Sequence, residues 1–347
     1  MKYVQNYNIL LHFEHIFYNR LRLLKKLLYV LIILAIALLA VTCVKNDNAI
    51  IVYSCMEQFR NDELQKQLNE KFPDKDVFVM YMPTAKAASK IRIEGTGSDA
   101  DMIVALEDAY MSKVQQFMAP CSHYSNQLYL PDTTVPSNHY LTWERQSGSI
   151  IINKTILEKH NLPIPQTYED LLNPIYKNLI AMPDPKSSGT GFFFFKSLVN
   201  KMGEDNAFDY IDKLAENVKS FTESGSGPVK LLKQGEIAIG LGLTFQGVNE
   251  LNAGNDFMII EPEYGSPFSL TSVGILEGRQ NNPDIVEVFK FIVNDFMVYD
   301  KTYFSPEQVL VTQENAIPNY PKNINYADMT GIDNIEEKER LLSKWKF

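Results

Sequence analysis

The residues best suited to chemistry lie in short loops of small polar side chains. Pro183-Asp184-Pro185-Lys186-Ser187-Ser188-Gly189-Thr190-Gly191 reads as a link between a strand and a helix. Glycine lets the backbone come close to a ligand, and Ser and Thr hydroxyls donate hydrogen bonds. The free amides at the start of the following helix, with its dipole, favour an anion, and Lys186 would add charge. A second loop, Ser224-Gly225-Ser226-Gly227-Pro228, places Pro228 at a first helical position and Ser226 or Gly227 at the cap. Thr84, in Pro83-Thr84-Ala85-Lys86, and Ser54, where the first strand ends, are weaker sites of the same kind. Ser, Thr and Gly are common caps on any helix, so one such loop says little. Two long ones on strand-to-helix connections in one block point to contact with an anion or another polar ligand. Arg145 suits a bidentate clamp on a carboxylate or phosphate, and equally a surface or interlobe ion pair. Phe192–Phe195 cover most of a helical turn, which fits core packing first and a cleft wall second.

Catalytic patterns are missing. The sequence holds no GxSxG elbow, no HExxH and no GxxxxGK[ST] loop. Gly95-Thr96-Gly97-Ser98-Asp99-Ala100 follows a helix and precedes a strand, the reverse of a dinucleotide turn. Beyond residue 43 the only histidines are His123, His139 and His160, with no pair at ligand spacing, so neither a metal nor a cofactor is expected. The chain is read as a binding protein and not an enzyme.

Charge narrows the partners. Of 33 basic and 42 acidic residues, five and one fall within residues 1–43, which leaves 28 and 41 beyond them, a net charge of −13. A body that acidic, with no basic stripe, is repelled by phosphate backbones, so nucleic acid is excluded as a partner. The expected partner is a small solute.

The elements needed to position these loops alternate along the chain. Short apolar runs at Ala49–Ser54, Val77–Met82, Asp101–Leu106, Ser149–Asn153, Leu179–Met182, Ile237–Leu241, Phe257–Glu261 and Leu270–Leu276 predict strands. Helical spacing is expected over 57–72, 84–93, 107–117, 167–173, 191–202, 204–217, 228–234, 283–296 and 335–346. Unbroken apolar strands between amphipathic helices indicate a mostly parallel sheet covered on both faces. The class is α/β, in two lobes, with a ligand cleft between them. Residues 49–147 with about 265–310 form lobe 1, 148–264 form lobe 2, and 311–347 form a C-terminal helical tail packing on the lobes.

The N-terminus bears on location. Arg20, Arg22, Lys25 and Lys26 precede Leu27–Thr42, sixteen residues without a charge. A transmembrane helix needs about twenty apolar residues, and a basic flank before a shorter apolar core matches an export signal. Leu39-Ala40-Val41-Thr42-Cys43 resembles a bacterial lipobox, whose cysteine is acylated and becomes the first mature residue. Thr42 departs from the Gly, Ala or Ser of that pattern. Lipidation at Cys43 and an uncleaved anchor helix both leave the body outside the membrane. Cys55 and Cys121 remain, as a disulfide or as two thiols.

The chain resembles the bacterial extracellular solute-binding proteins grouped with ferric-iron, phosphosugar and aminoethylphosphonate importers. Four stretches carry the likeness: IIVYS at 50–54, YEDLLNPIYKNLIAMPDPKSSGTG at 168–191, SGSGPVKLLKQGEIAIGLGLT at 224–244 and NYPKNINYADM at 319–329. The resemblance implies a periplasmic-binding-protein fold of the second type, monomeric, which closes on a solute and docks on an ABC permease with a cytoplasmic ATPase. It implies ligand contacts from Ser54, Ser187, Ser188, Gly189, Thr190, Ser224, Gly225, Ser226 and Gly227, with Thr244 in a matching segment. Ferric-iron members use two consecutive tyrosines. This sequence has eighteen tyrosines and no adjacent pair, and reads Leu243-Thr244-Phe245-Gln246 there. An anionic solute, such as a phosphorylated sugar or a phosphonate, is therefore expected ahead of ferric iron or a polyamine. A solute-sensing lipoprotein that feeds no permease is a further alternative.

Overall fold

The computed structural model describes residues 49–135, 137–314 and 317–347, with Arg22, Lys25, Lys26 and Tyr29 as isolated helical positions before them. Cys43, the expected acylation site, and most of the expected export signal fall outside the described residues. Residues 50–347 form one compact unit.

Among the described residues, nine strands and eleven α-helices alternate. β1 (Ile50–Ser54), α1 (Gln58–Lys71), β2 (Val77–Tyr81), α2 (Thr84–Glu94), β3 (Met102–Glu107) and α3 (Asp108–Val114) come first. After an irregular stretch come β4 (Leu141–Asn153), α4 (Lys154–Lys159), β5 (Ile180–Pro183), α5 (Gly189–Met202), α6 (Glu204–Ala215) and β6 (Val218–Thr222). Then follow α7 (Gly227–Lys233), β7 (Ile239–Leu243), α8 (Thr244–Asn252), β8 (Phe257–Ile260) and β9 (Phe268–Ile275). The chain closes with α9 (Pro283–Phe291), a π-turn at Ile292–Phe296, α10 (Met297–Tyr303) and α11 (Ile335–Ser343).

The strands join in the order β2-β1-β3-β9-β4-β7-β5-β6, with β8 also on β4. Pairings within β2-β1-β3 and within β7-β5-β6 are parallel. Every antiparallel pairing between these strands involves β4 or β9. Those two strands tie the halves together. β4 pairs with β9 through Ser147 and with β7 from Gly148 onward. The switch needs glycine, because a Cβ at Gly148 would stand 2.4 Å from the Phe194 ring.

Each half has its own apolar core. Val52, Leu64, Val104, Trp143, Phe289 and Phe296 centre the first. Ile150, Ile180, Phe192–Phe195, Leu241 and Trp345 centre the second. All four phenylalanines of the run are buried there, and none lines the cleft.

Several elements differ from the pattern-based reading. β4 starts at Leu141 rather than Ser149, because its first residues bury Thr142, Glu144 and Arg145 against polar partners, which breaks the apolar signature. The expected helix at 167–173 is only a 3-10 turn at Asp170–Leu172, flanked by Asn173-Pro174. α4 and β6 are additional elements; no residue of β6 is fully buried, and it carries no apolar run. The expected helix over 283–296 keeps its extent but passes into the π-turn after Phe291.

Candidate functional site

A cavity of about 760 Å³ opens between the halves, at the carboxyl ends of β1 and β3 and at the starts of α5 and α8. The two Gly/Ser loops form much of its far wall. In the first, the Asp184 carbonyl accepts from the amides of Ser187 (3.2 Å) and Ser188 (2.9 Å), and its Oδ1 accepts from the Lys186 amide (2.9 Å). That turn aims Ser188 into position as N-cap of α5, with no side-chain capping bond of its own. Gly191 is obligatory in the first turn, since a Cβ there would lie 2.4 Å from the Pro183 carbonyl oxygen. In the second loop, Ser224 and Ser226 Oγ stand 3.1 Å apart.

The two loops touch. A Cβ on Gly225 would lie 2.3 Å from Thr190 Oγ1 and 3.5 Å from Ser188 Oγ. Ser187, Ser188, Gly189, Thr190, Ser224, Gly225 and Ser226 all line the cavity, and Thr84 faces them from the start of α2.

Four other anticipated residues lie elsewhere. Ser54 is fully buried, and its Oγ accepts from the Met56 amide at 3.2 Å. Thr244 is buried against Ser147 Oγ (3.0 Å) and Ser149 Oγ (2.8 Å), so it braces the strand switch. Gly227 packs on Thr222, where a Cβ would meet Thr222 Cβ at 2.4 Å. Arg145 pairs with Asp132 (2.5 Å), and its guanidinium lies 4.6 Å from the Tyr326 ring centroid, away from the cavity. Lys186 also turns away, donating to the Trp345 carbonyl at 2.8 Å.

The near wall holds residues that loop chemistry did not single out. Glu57, Phe59, Asp62, Tyr81, Glu107 and Gln146 line it, and Gln246 and Asn249 join from α8. Glu57, Phe59 and Glu107 lie at or just past the carboxyl ends of parallel strands, where open α/β sheets bind ligands. That positional rule was the available signal.

Glu57 is anchored by Arg60 Nη1 at 3.0 Å. Arg60 is wholly buried and also grips Asp300 with two bonds (2.8 and 2.6 Å) and Glu144 with one (2.6 Å). Burial opposes the Arg60 charge, yet Asp300, Glu144 and Glu57 hold it well above its ordinary range. Burial pushes Glu57 up, with Arg60 pulling against it. Cys55 lines the cavity and Cys121 is buried; both are free thiols, and burial pushes each up to about 12.

β3 carries an irregularity at the cavity. Its register against β9 shifts between Ile103 and Leu106, and Ala105 sits at φ +59°. A bulge of this kind re-aims the side chains after it, and Glu107 follows directly. Among the described residues, no group of His, Cys, Asp and Glu is placed to hold a metal ion, and no helix is long and apolar enough to cross a membrane.

Known proteins share this architecture. The model of the family described as bacterial extracellular solute-binding protein matches residues 100–328. The periplasmic binding protein AfuA from Actinobacillus pleuropneumoniae, solved with fructose-6-phosphate bound, superposes with a TM-score of 0.71 at 21% identity, covering 86% of this chain and 98% of that one. The periplasmic binding protein P5PA gives 0.71 at 20% identity with the same coverage. Apo ferric ion-binding protein A from Pasteurella haemolytica gives 0.68 at 15% identity, covering 85% of this chain and 96% of that one. At these identities the likeness is one of fold, a two-lobed periplasmic binding protein. An uncharacterized protein of Haemophilus influenzae is 28% identical over 193 residues, spanning 52% of this chain and about half, 54%, of that relative. The family and its structural neighbours are binding proteins and not enzymes. By a match that covers well over half its length, the chain belongs to the bacterial extracellular solute-binding proteins.

Proposed function

We propose that this chain is the solute-binding subunit of a bacterial ABC importer and that it captures a small anionic solute, such as a phosphorylated sugar or a phosphonate. The observation that carries this is the convergence of Ser187–Thr190 and Ser224–Ser226 on one wall of one cavity. The first amides of α5 have no intrahelical partner, the helix dipole adds partial positive charge, and the Ser and Thr hydroxyls supply further donors. Exclusion of water between the lobes strengthens such bonds. That AfuA was solved with a sugar phosphate bound agrees with this class.

In this reading the lobes divide at Ser147–Gly148 and rejoin along β9, and a solute drawing them together prepares the monomer for a permease with a cytoplasmic ATPase. The body works outside the membrane, held by a lipid on Cys43 or by an uncleaved N-terminal helix.

A second reading rests on a specific observation. Asp62 and Glu223 line the cavity without an ion pair among the described residues, and Phe59 and Tyr81 line the same cavity. Carboxylates with aromatic faces suit a cation.

Thermal unfolding against phosphosugars, phosphonates, ferric complexes, polyamines and amino acids separates these readings. A specific ligand at one hundred times its Kd adds about 2.7 kcal/mol. A shift with one anionic class, lost when Ser188 and Ser226 are both replaced by leucine in a folded variant, supports the proposal. A shift with polyamines or ferric complexes alone overturns it.

A further inference from the structure

Lys338 belongs to the C-terminal helix, far in sequence from the cavity, yet it is buried to 1% exposure. Its ammonium pairs with Glu107 and stands 4.4 Å from the ring centroids of Tyr110 and Phe192. Glu107 lines the cavity. Its side chain also leans on the start of α5, since a Cβ on Gly189 would lie 3.6 Å from Glu107 Cγ. A carboxylate therefore sits beside the helix start where an anion would bind, and its only ion-pair partner among the described residues is Lys338.

α11 is held in place for this task. Glu337, next to Lys338, accepts from Lys196 Nζ of α5 at 2.7 Å. Arg340 makes a two-bond grip on Glu204 at 2.9 and 2.7 Å. On the other side, Lys113 of α3 pairs with Glu339. The helix thus spans from α5 and α6 to α3.

We infer that Lys338 is a positioning residue for the solute cavity: through its ion pair it neutralises Glu107 and so sets the charge of the wall beside the start of α5. The inference rests on the reading of this cavity as the solute site, but its test uses no solute. An unpaired Glu107 would leave a full negative charge facing the cavity, repelling anions and drawing cations.

The test uses the detergent-solubilised full chain with a reporter cysteine, Ser187→Cys, on the cavity wall. Its rates of modification by an anionic and a cationic thiosulfonate are read by mass of the peptide that carries position 187. Their ratio reports the local potential whatever the cargo is. Lys338→Met is expected to lower the anionic-to-cationic ratio about tenfold, the scale for one charge in a wet cleft. Adding Glu107→Gln to Lys338→Met should restore the starting ratio, which a purely structural role would not do. Lys338→Gln keeps a donor near Glu107 while removing the charge, and serves where Lys338→Met does not fold. An unchanged ratio in either folded variant overturns the inference. Folding of the double variant where both single Lys338 variants fail supports it, because the uncompensated Glu107 charge is then the cause. Failure of all three to fold assigns Lys338 to packing and overturns it.

Discussion

Gln246 and Glu57 meet across the cleft: Gln246 Nε2, on α8, donates to Glu57 Oε1, at the entry to α1, at 3.1 Å. Both line the cavity. The same carboxylate takes Arg60 on its other oxygen. The contact thus links the cavity-lining surface of one half to a buried charge cluster in the other.

Gln246→Leu removes that donor while keeping the volume. A single hydrogen bond to a charged group contributes about 1.5–3 kcal/mol at most. The expected result is a loss of solute affinity of about tenfold, by calorimetric titration with whichever ligand shifts the melting curve. Urea unfolding of the ligand-free variant should change far less, since Arg60 still satisfies Glu57. Unchanged affinity would show that the contact plays no part in holding the solute.

Arg60 gathers Glu57, Glu144 and Asp300, and Lys301 adds to Asp300 at 2.8 Å. Removing one partner of a buried ion cluster leaves uncompensated charge and costs about 3–5 kcal/mol. Arg60→Met should therefore lower the urea midpoint sharply. Lys301 alone then faces two buried carboxylates, so the loss should be read against the same change in an Arg60→Met, Asp300→Asn double variant, which removes part of the uncompensated charge and should recover part of the stability. A loss below 1 kcal/mol would mean that water reaches the cluster.

Asp108, the first residue of α3, accepts from Ser272 Oγ on β9. Burial raises its carboxyl to about 7, with the charges of Glu107 and Asp333 adding and the Ser272 bond opposing. An unfolded aspartate titrates near 3.9. Between those values the folded chain holds a proton that the unfolded chain has lost, so stability falls as pH rises, by up to about 1.4 kcal/mol per unit. The contribution is fully present below the unfolded value and gone above about 7. Asp108→Asn mimics the protonated acid. Its unfolding free energy should match the parent near pH 4 and exceed it near pH 8. Parallel pH profiles for the two proteins would rule this out.

How far the site was legible can be followed residue by residue. The Gly/Ser loops stood out because Gly191 is demanded by the approach of the Pro183 carbonyl and Gly225 by that of the Thr190 side chain, a constraint written in residue type. Ser54 and Thr244 looked equivalent by type and by family likeness, but burial turned their hydroxyls inward, and burial depends on tertiary packing. Glu144 and Arg145 lie in a crossing strand, where Glu144 pairs with Arg60, 84 positions away, and Arg145 with Asp132 across an irregular stretch. No periodicity could reveal them. Glu107 and Lys338 lie 231 positions apart, and only the return of the C-terminal helix brings them together. The alternation of strands and helices survived because it rests on local apolar runs.

Ala105 offers a test of strain at the cavity. It lies in β3 at φ +59°, where a side chain costs about 1–2 kcal/mol and glycine costs little. The neighbouring register shift shows that the strand keeps this bend in place of regular pairing with β9. Ala105→Gly should relieve the crowding but enlarge the entropy of the unfolded chain, which offsets part of the gain. A net stabilisation of about 0.5–1 kcal/mol in urea unfolding is expected. Ala105→Val places a β-branched side chain at the same φ and should destabilise by more than that. If Gly also destabilises, the conformation is not strained, and the bulge is held by the methyl packing in the first core rather than despite it.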